Sequence, residues 1–154
     1  MSIEKEMYGS SQTSTAFEKY LDIFPEGFLV AIADEEIVGF IIVELTRKIT
    51  VIPKMHEPEA YHRADGKIVY VSGFGVRKDW KVNFEVGKQL YQKIIQLAIK
   101  RNCRIIEVIC DEKECKDLYE LKILKQVGLL KYKTVDWEVA PNKICTHSIW
   151  IMKM

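Results

Sequence analysis

Residues 76–100 read "VRKDWKVNFEVGKQLYQKIIQLAIK". The stretch leaves an apolar run, crosses a short basic loop and enters an amphipathic helix, predicted over 84–101. Val86, Leu90, Ile94 and Leu97 line one stripe, with Tyr91, Ile95 and Ala98 beside it. A strand that feeds a helix this way presents backbone N–H groups that have no partner inside the helix. The helix dipole adds partial positive charge there. Such a terminus holds an anion without requiring a charged side chain. Arg77, Lys78, Lys81 and Lys88 outnumber Asp79 and Glu85, which suits an anion. Asn83 is the candidate N-cap. Gly87 removes a side chain where a ligand or a neighbouring strand comes close. A solvated connection with a packing glycine explains the same residues, and both readings stand at this point.

Outward from this stretch, the chain alternates strand and helix patterns. "AFEKYLDIF" sets Phe17, Tyr20, Leu21 and Phe24 at helical spacing, and Pro25 and Gly27 stop that helix. Two strands follow, 28–33 and 37–45, joined by an acidic turn. Residues 46–66 form a long polar connection, of a length that is usually functional or mobile. "KIVYVSGFGV" is a third strand, whose Gly73 and Gly75 suit a bend or bulge. After the long helix, "RIIEVIC" is apolar on both faces apart from Glu107, as in a central strand. "ECKDLYELKILKQVG" is a second helix that Gly128 ends. Two closing strands carry the alternations Leu130, Tyr132, Thr134 and Ile149, Ile151. The order is helix, three strands, helix, strand, helix, two strands. It predicts an α+β fold of α/β/α layering, with a mixed sheet covered on both faces.

The 154 residues fit a single domain, 1–154, with residues 1–15 frayed. A net charge of +1 gives no support to a nucleic-acid or acidic-membrane partner. No apolar run reaches the length of a membrane span. The polar N-terminus with Glu4 and Glu6 is unlike a secretory signal. Cys103, Cys110, Cys115 and Cys145 form no CxxC pair, which fits reduced thiols in a cytoplasmic protein. A metal held by Cys110, Cys115 and a distant His is the minor alternative, and no metal is expected.

The element order resembles that of the GCN5-related N-acetyltransferases. "VRKDWKVNFEVGKQL" is similar to that family's motif, a strand ending in Val, a basic loop of the form R/QxxGxG/A, and a long helix. Val76 matches the strand end, Lys81 the Arg or Gln, Gly87 the final Gly and Leu90 the first helix anchor. One residue is extra between Val76 and Leu90, and Phe84 or Glu85 stands where the first motif glycine belongs. The likeness covers residues 17–154. It implies that acetyl-CoA binds as co-substrate, its pyrophosphate cradled by amides of Lys81, Val82, Asn83, Phe84, Glu85, Val86, Gly87 and Lys88. Glu85 is expected to face solvent, away from phosphate. The likeness also implies a sheet that splays beside "SGFGV" and admits the thioester. Backbone amides of Phe74, Gly75 and Val76 would then polarise its carbonyl.

"IEV" and "DLYE" resemble the segments that carry a catalytic Glu and a catalytic Tyr in protein N-terminal acetyltransferases of this family, which implies Glu107 as base and Tyr119 as acid. Burial would raise the Glu107 pKa toward that of a general base. Glu107 read alone is equally a member of an ion pair at the sheet's edge, and Tyr119 an amphipathic core tyrosine. The family's Tyr lies about four residues before a glycine, and counting back from Gly128 reaches Leu124 instead. The connection 46–66, with Arg47, Lys48, His56, Glu57, Glu59, Tyr61 and His62, is either an acceptor lid for a cationic amine or a variable surface loop.

The expected function is transfer of an acetyl group from acetyl-CoA to a primary amine of a small molecule or protein. Expected partners are acetyl-CoA and the amine, with a homodimer also open, and no nucleic acid or membrane. A CoA-binding or protein-interaction domain of the same fold without turnover is the alternative. An unrelated α+β regulatory domain is the third.

Overall fold

The computed structural model describes residues 14–48, 62–111 and 118–154. Its helices are α1 (Ser14–Ile23), α2 (Glu85–Lys100) and α3 (Leu118–Val127). Its strands are β1 (Phe28–Ala33), β2 (Glu36–Thr46), β3 (Ile68–Val76), β4 (Ile105–Asp111), β5 (Leu130–Ala140) and β6 (Lys143–Lys153). One six-stranded sheet has the order β1-β2-β3-β4-β6-β5, parallel only between β3 and β4. The expected element order holds throughout. Among the described residues no helix is long and apolar enough to cross a membrane.

Strand alternation sorts the side chains onto two faces. On the first, Ile41, Val43, Leu45, Val69, Val71, Phe74, Ile106, Val108 and Trp150 meet Leu90, Tyr91, Ile94 and Ala98 of α2 and Ile123 and Leu124 of α3. On the second, Phe40 and Ile42 meet Tyr20 and Phe17 of α1. The buried stripe of α2 centres on Gly87, Leu90, Tyr91, Ile94 and Ala98. Val86, Ile95 and Leu97 flank it, each half-buried.

Local chemistry fixes the joints. Asp34 and Glu35 both take positive φ, the two-residue turn whose twist matches the hairpin β1–β2. Gly128, at φ +99°, closes α3 as expected. Its N–H donates to Lys125 O, and Leu129 N–H donates to Leu124 O at 2.9 Å. The alternation in β5 has a different meaning from the one expected. Leu130 and Tyr132 are 73% and 54% exposed, because β5 is the outer strand and no helix covers that stretch among the described residues.

The described ends of the 46–66 connection lie at the far end of the sheet, where β2 stops and β3 starts. Arg47 and Asp65 close its neck with two hydrogen bonds of 3.0 and 2.8 Å. His62 accepts Leu45 N–H through Nδ1 at 3.1 Å and stacks on Phe24. His56, Glu57, Glu59 and Tyr61 lie outside the described residues.

Burial, then the nearby Arg101 and Arg63 guanidinium groups, push the His62 pKa down. A depressed histidine pKa means that the unfolded chain takes up the proton first. The stability it contributes is therefore present above the unfolded value, near 6.5, and is lost as pH falls below it. Replacing His62 by Phe keeps the stacking but removes the acceptor for Leu45 N–H. We expect a loss of about 1 kcal/mol at pH 8. We also expect the melting temperature to fall less steeply between pH 7 and 5 than in the native chain. Thermal melts across that range check both.

Candidate active site

β3 and β4 pair only over Ile68–Val71 against Ile105–Val108. Beyond Val71, β3 stays with β2 and β4 stays with β6. The two strands therefore part and open a wedge in the middle of the sheet. A register shift marks the parting: Val71 pairs with Val43 and Gly73 with Ile42, which leaves Ser72 as an extra residue. Its hydroxyl donates to Ile42 O at 3.3 Å. The bend expected around Gly73 and Gly75 is this bulge, which rotates the strand locally. Peptide groups of an extended strand alternate sides, so those of Ser72–Val76 that turn away from β2 point into the wedge. Phe74, Gly75 and Val76 are all buried there.

From Val76 the chain makes a short 3-10 turn, Lys78–Trp80, and reaches α2. Phe84, not Asn83, is the N-cap, and it makes no side-chain cap bond. Its carbonyl accepts Lys88 N–H at 2.9 Å. Asn83 instead accepts Glu85 N–H through Oδ1 at 3.0 Å, because a 3-10 turn and a bend place it one residue before the cap. Gly87 N–H donates to the Tyr119 hydroxyl at 3.3 Å. The N–H groups of Val82, Asn83, Phe84 and Val86 have no hydrogen-bond partner among the described residues. An anion cradle needs donors of this kind, and the residues present fit one.

Charge around the cradle differs from the expectation at Arg77. Its guanidinium is held by Glu36 at 2.6 Å and Asp79 at 3.0 Å, which leaves lysines to face an anion. Those carboxylates also push its pKa further up, the Glu36 hydrogen bond most. Lys81 and Lys88 are half-buried, while Val82 and Asn83 are exposed. Glu85 points away along the helix, where Gln89 donates to it at 2.9 Å. Gly87 is not an open place for a ligand. A Cβ on it would lie 2.3 Å from Ile123 Cδ1 and 3.0 Å from both Phe74 Cζ and Tyr119 Cε1. The glycine exists for close packing of α2 on α3 and β3.

Tyr119 and Glu107 lie on opposite faces of the sheet. Tyr119 sits in the first turn of α3, stacked on Phe84 at 5.3 Å and on Phe74 at 6.4 Å. Lys81 Nζ lies 5.7 Å from its ring centre. Leu124 lies five residues on, rotated by about 140°, and Tyr119 is the residue beside the N-terminus of α2. Glu107, 1% exposed, is on the α1 face, one residue below the point where β3 and β4 part. It is not at the sheet's edge, since β4 is a central strand.

Two residues join Glu107 that the sequence reading passed over. Glu44, Tyr70 and Glu107 are consecutive neighbours across β2, β3 and β4, all buried. Glu44 in "FIIVELT" carries the same signal as Glu107 in "RIIEVIC", a carboxylate inside an apolar strand. Tyr70 carried no such signal. Burial first, then the Glu44 and Glu107 carboxylates, push the Tyr70 pKa strongly up. Its phenol stays protonated, so of this row it serves as a donor and not as a base.

The Acetyltransferase (GNAT) family matches residues 1–122. The chain belongs to that family. Solved structures agree on the fold. Ard1 from Thermoplasma volcanium superposes with a TM-score of 0.71 at 13% identity, over 99% of this chain and 88% of that one. Ribosomal-protein-alanine N-acetyltransferase from Brucella melitensis gives 0.68 at 12% identity, over 95% and 82%. YncA from Salmonella typhimurium, a putative acetyltransferase solved with its cofactor acetyl-CoA, gives 0.66 at 10% identity, over 93% and 74%. No curated protein matches the sequence. The GNAT sheet thus supplies the wedge of this chain, and its long helix the N-terminus beside it.

Proposed function

We propose that this GNAT protein is a cytoplasmic enzyme that transfers an acetyl group from acetyl-CoA to a primary amine. The observation that carries the reading is the wedge, which opens directly above Glu107 and beside the N-terminus of α2. Amides of Val82, Asn83, Phe84 and Val86 would hold the pyrophosphate, with Lys81 and Lys88 near it. Acetyl-CoA supplies the acetyl group as a thioester. Peptide N–H groups of Phe74–Val76 that face the wedge orient and polarise a carbonyl placed there. On the α1 face, Glu107 takes the proton that the amine loses as its nitrogen bonds the acetyl carbon. On the opposite face, the Tyr119 hydroxyl gives a proton to the sulfur as the C–S bond breaks. The sheet thus sets base and acid on opposite sides of the wedge.

A second reading has its own support. Phe84 or Glu85 stands where the motif's first glycine belongs, and Asn83 and Tyr119 already occupy the amides of Glu85 and Gly87. A domain that binds CoA without turnover would tolerate both. Acetyl-CoA is expected to bind with micromolar affinity, roughly 7 to 8 kcal/mol. Calorimetry with no heat, and no thermal shift at millimolar CoA, would overturn both readings. Thioester cleavage against a panel of amines separates them: binding without acetylated product leaves the second.

A further inference from the structure

Phe84 ends the connection from β3 and starts α2. Its ring turns toward α3 and meets the Tyr119 ring at 5.3 Å, 28° from parallel. Phe74, from the rim of the wedge, meets the same ring 14° from parallel. The Gly87 backbone closes a third side, where a Cβ would lie 3.0 Å from Tyr119 Cε1. The hydroxyl accepts Gly87 N–H at 3.3 Å. Lys122 Nζ lies 5.8 Å from the Phe84 ring centre, so Phe84 is itself covered from α3. Tyr91, one turn along α2, donates to Glu120 at 2.7 Å and ties the two helices beside the stack.

A tyrosine in the first turn of a helix keeps rotational freedom unless neighbours remove it. Two aromatic rings near parallel to it define the plane of the phenol as well as its place. An aliphatic residue of similar bulk would fill the volume and leave the plane undefined. We propose that Phe84 is a positioning residue for Tyr119, holding its hydroxyl at Gly87 N–H and at the mouth of the wedge. The catalytic part of this inference rests on the reading of Tyr119 as the acid.

The test compares Phe84→Leu, Phe84→Tyr, Tyr119→Phe and the double variant Phe84→Leu/Tyr119→Phe in the full chain. The first readout needs no ligand: the backbone amide cross-peak of Gly87 in a 1H–15N spectrum. Tyr119→Phe removes its acceptor and should shift it. Phe84→Leu should shift it in the same direction, and Phe84→Tyr should restore it. The second readout is turnover of acetyl-CoA with whichever amine proves competent. Tyr119→Phe should lower kcat by roughly tenfold, less than a full general-acid effect because thiolate leaves readily. Phe84→Leu should lower kcat by a similar factor with little change in KM for acetyl-CoA. The double variant should lose no more than Tyr119→Phe alone. If the Gly87 peak and kcat of Phe84→Leu are native, or if the two losses multiply, the positioning role is overturned while Tyr119 stands as acid. If Tyr119→Phe turns over at the native rate, the acid assignment falls and the catalytic consequence of Phe84 with it.

Discussion

Glu107→Gln is expected to lower kcat by roughly 10²-fold or more and to leave the affinity for CoA unchanged. The two halves of this result have separate causes. CoA would be held on the α2–α3 face and in the wedge, whereas Glu107 lies on the α1 face below the parting of β3 and β4. The amide keeps the shape and volume of the carboxyl, so the binding surface is preserved. It cannot accept the ammonium proton, so the acidic limb of the pH–rate profile should vanish. Tyr70 cannot substitute, because burial and two carboxylates keep its phenol protonated. A structural Glu107 makes a different forecast. The glutamine would then lower the melting temperature while turnover per folded molecule stayed native. Melting and turnover measured on one preparation separate the two. A stable glutamine variant with native turnover would move the search for the base to Glu44 in the same row.

The order of elements was legible because periodicity is a local signal. Each strand and helix states its period within its own residues, and Gly128 marks a helix end wherever the helix packs. The cap of α2 was less legible. Asn83 has the composition of an N-cap, but the 3-10 turn at Lys78–Trp80 sets the phase in which the chain enters the helix. Phe84 arrives at the cap position instead. The exposed alternation in β5 misled for a related reason. Period two says that a strand has two faces, not that a helix covers either of them. Glu44 was within reach, since the rule that singles out Glu107 applies to it unchanged. Its adjacency to Tyr70 and Glu107 depends on register across three strands, which no single segment encodes. The role of Gly87 was the least legible. A glycine near a helix start suits a ligand or a neighbour equally, and only the placement of Ile123 and Tyr119, more than thirty residues on, decides between them.

That placement makes Gly87 a sensitive position to enlarge. If Gly87 faced a ligand, Gly87→Glu would expel phosphate and spare the fold. The packing argues instead for loss of the fold, because the carboxylate would have to enter a buried contact among Ile123, Phe74 and Tyr119. Gly87→Ala is the informative variant. Its helix propensity alone would stabilise by up to about 1 kcal/mol. Against this, the new Cβ would stand 2.3 Å from Ile123 Cδ1, in a core where Ile123 is fully buried, and two rigid rings close the other sides. Overpacking of this kind costs roughly 1 to 3 kcal/mol, so the expected net change is destabilising. Ile123→Val removes the Cδ1 that the new methyl would strike. Alone it should cost about 1 kcal/mol for the lost methylene. Combined with Gly87→Ala it should cost less than the sum of the two, because the deleted carbon vacates the volume that the alanine needs. Denaturant melts of the two single variants and the double variant measure this coupling. Additive losses would mean that α2 and α3 are not in contact at Gly87. The Tyr119 hydroxyl would then have no fixed place beside the wedge, and the acid would have to be sought elsewhere.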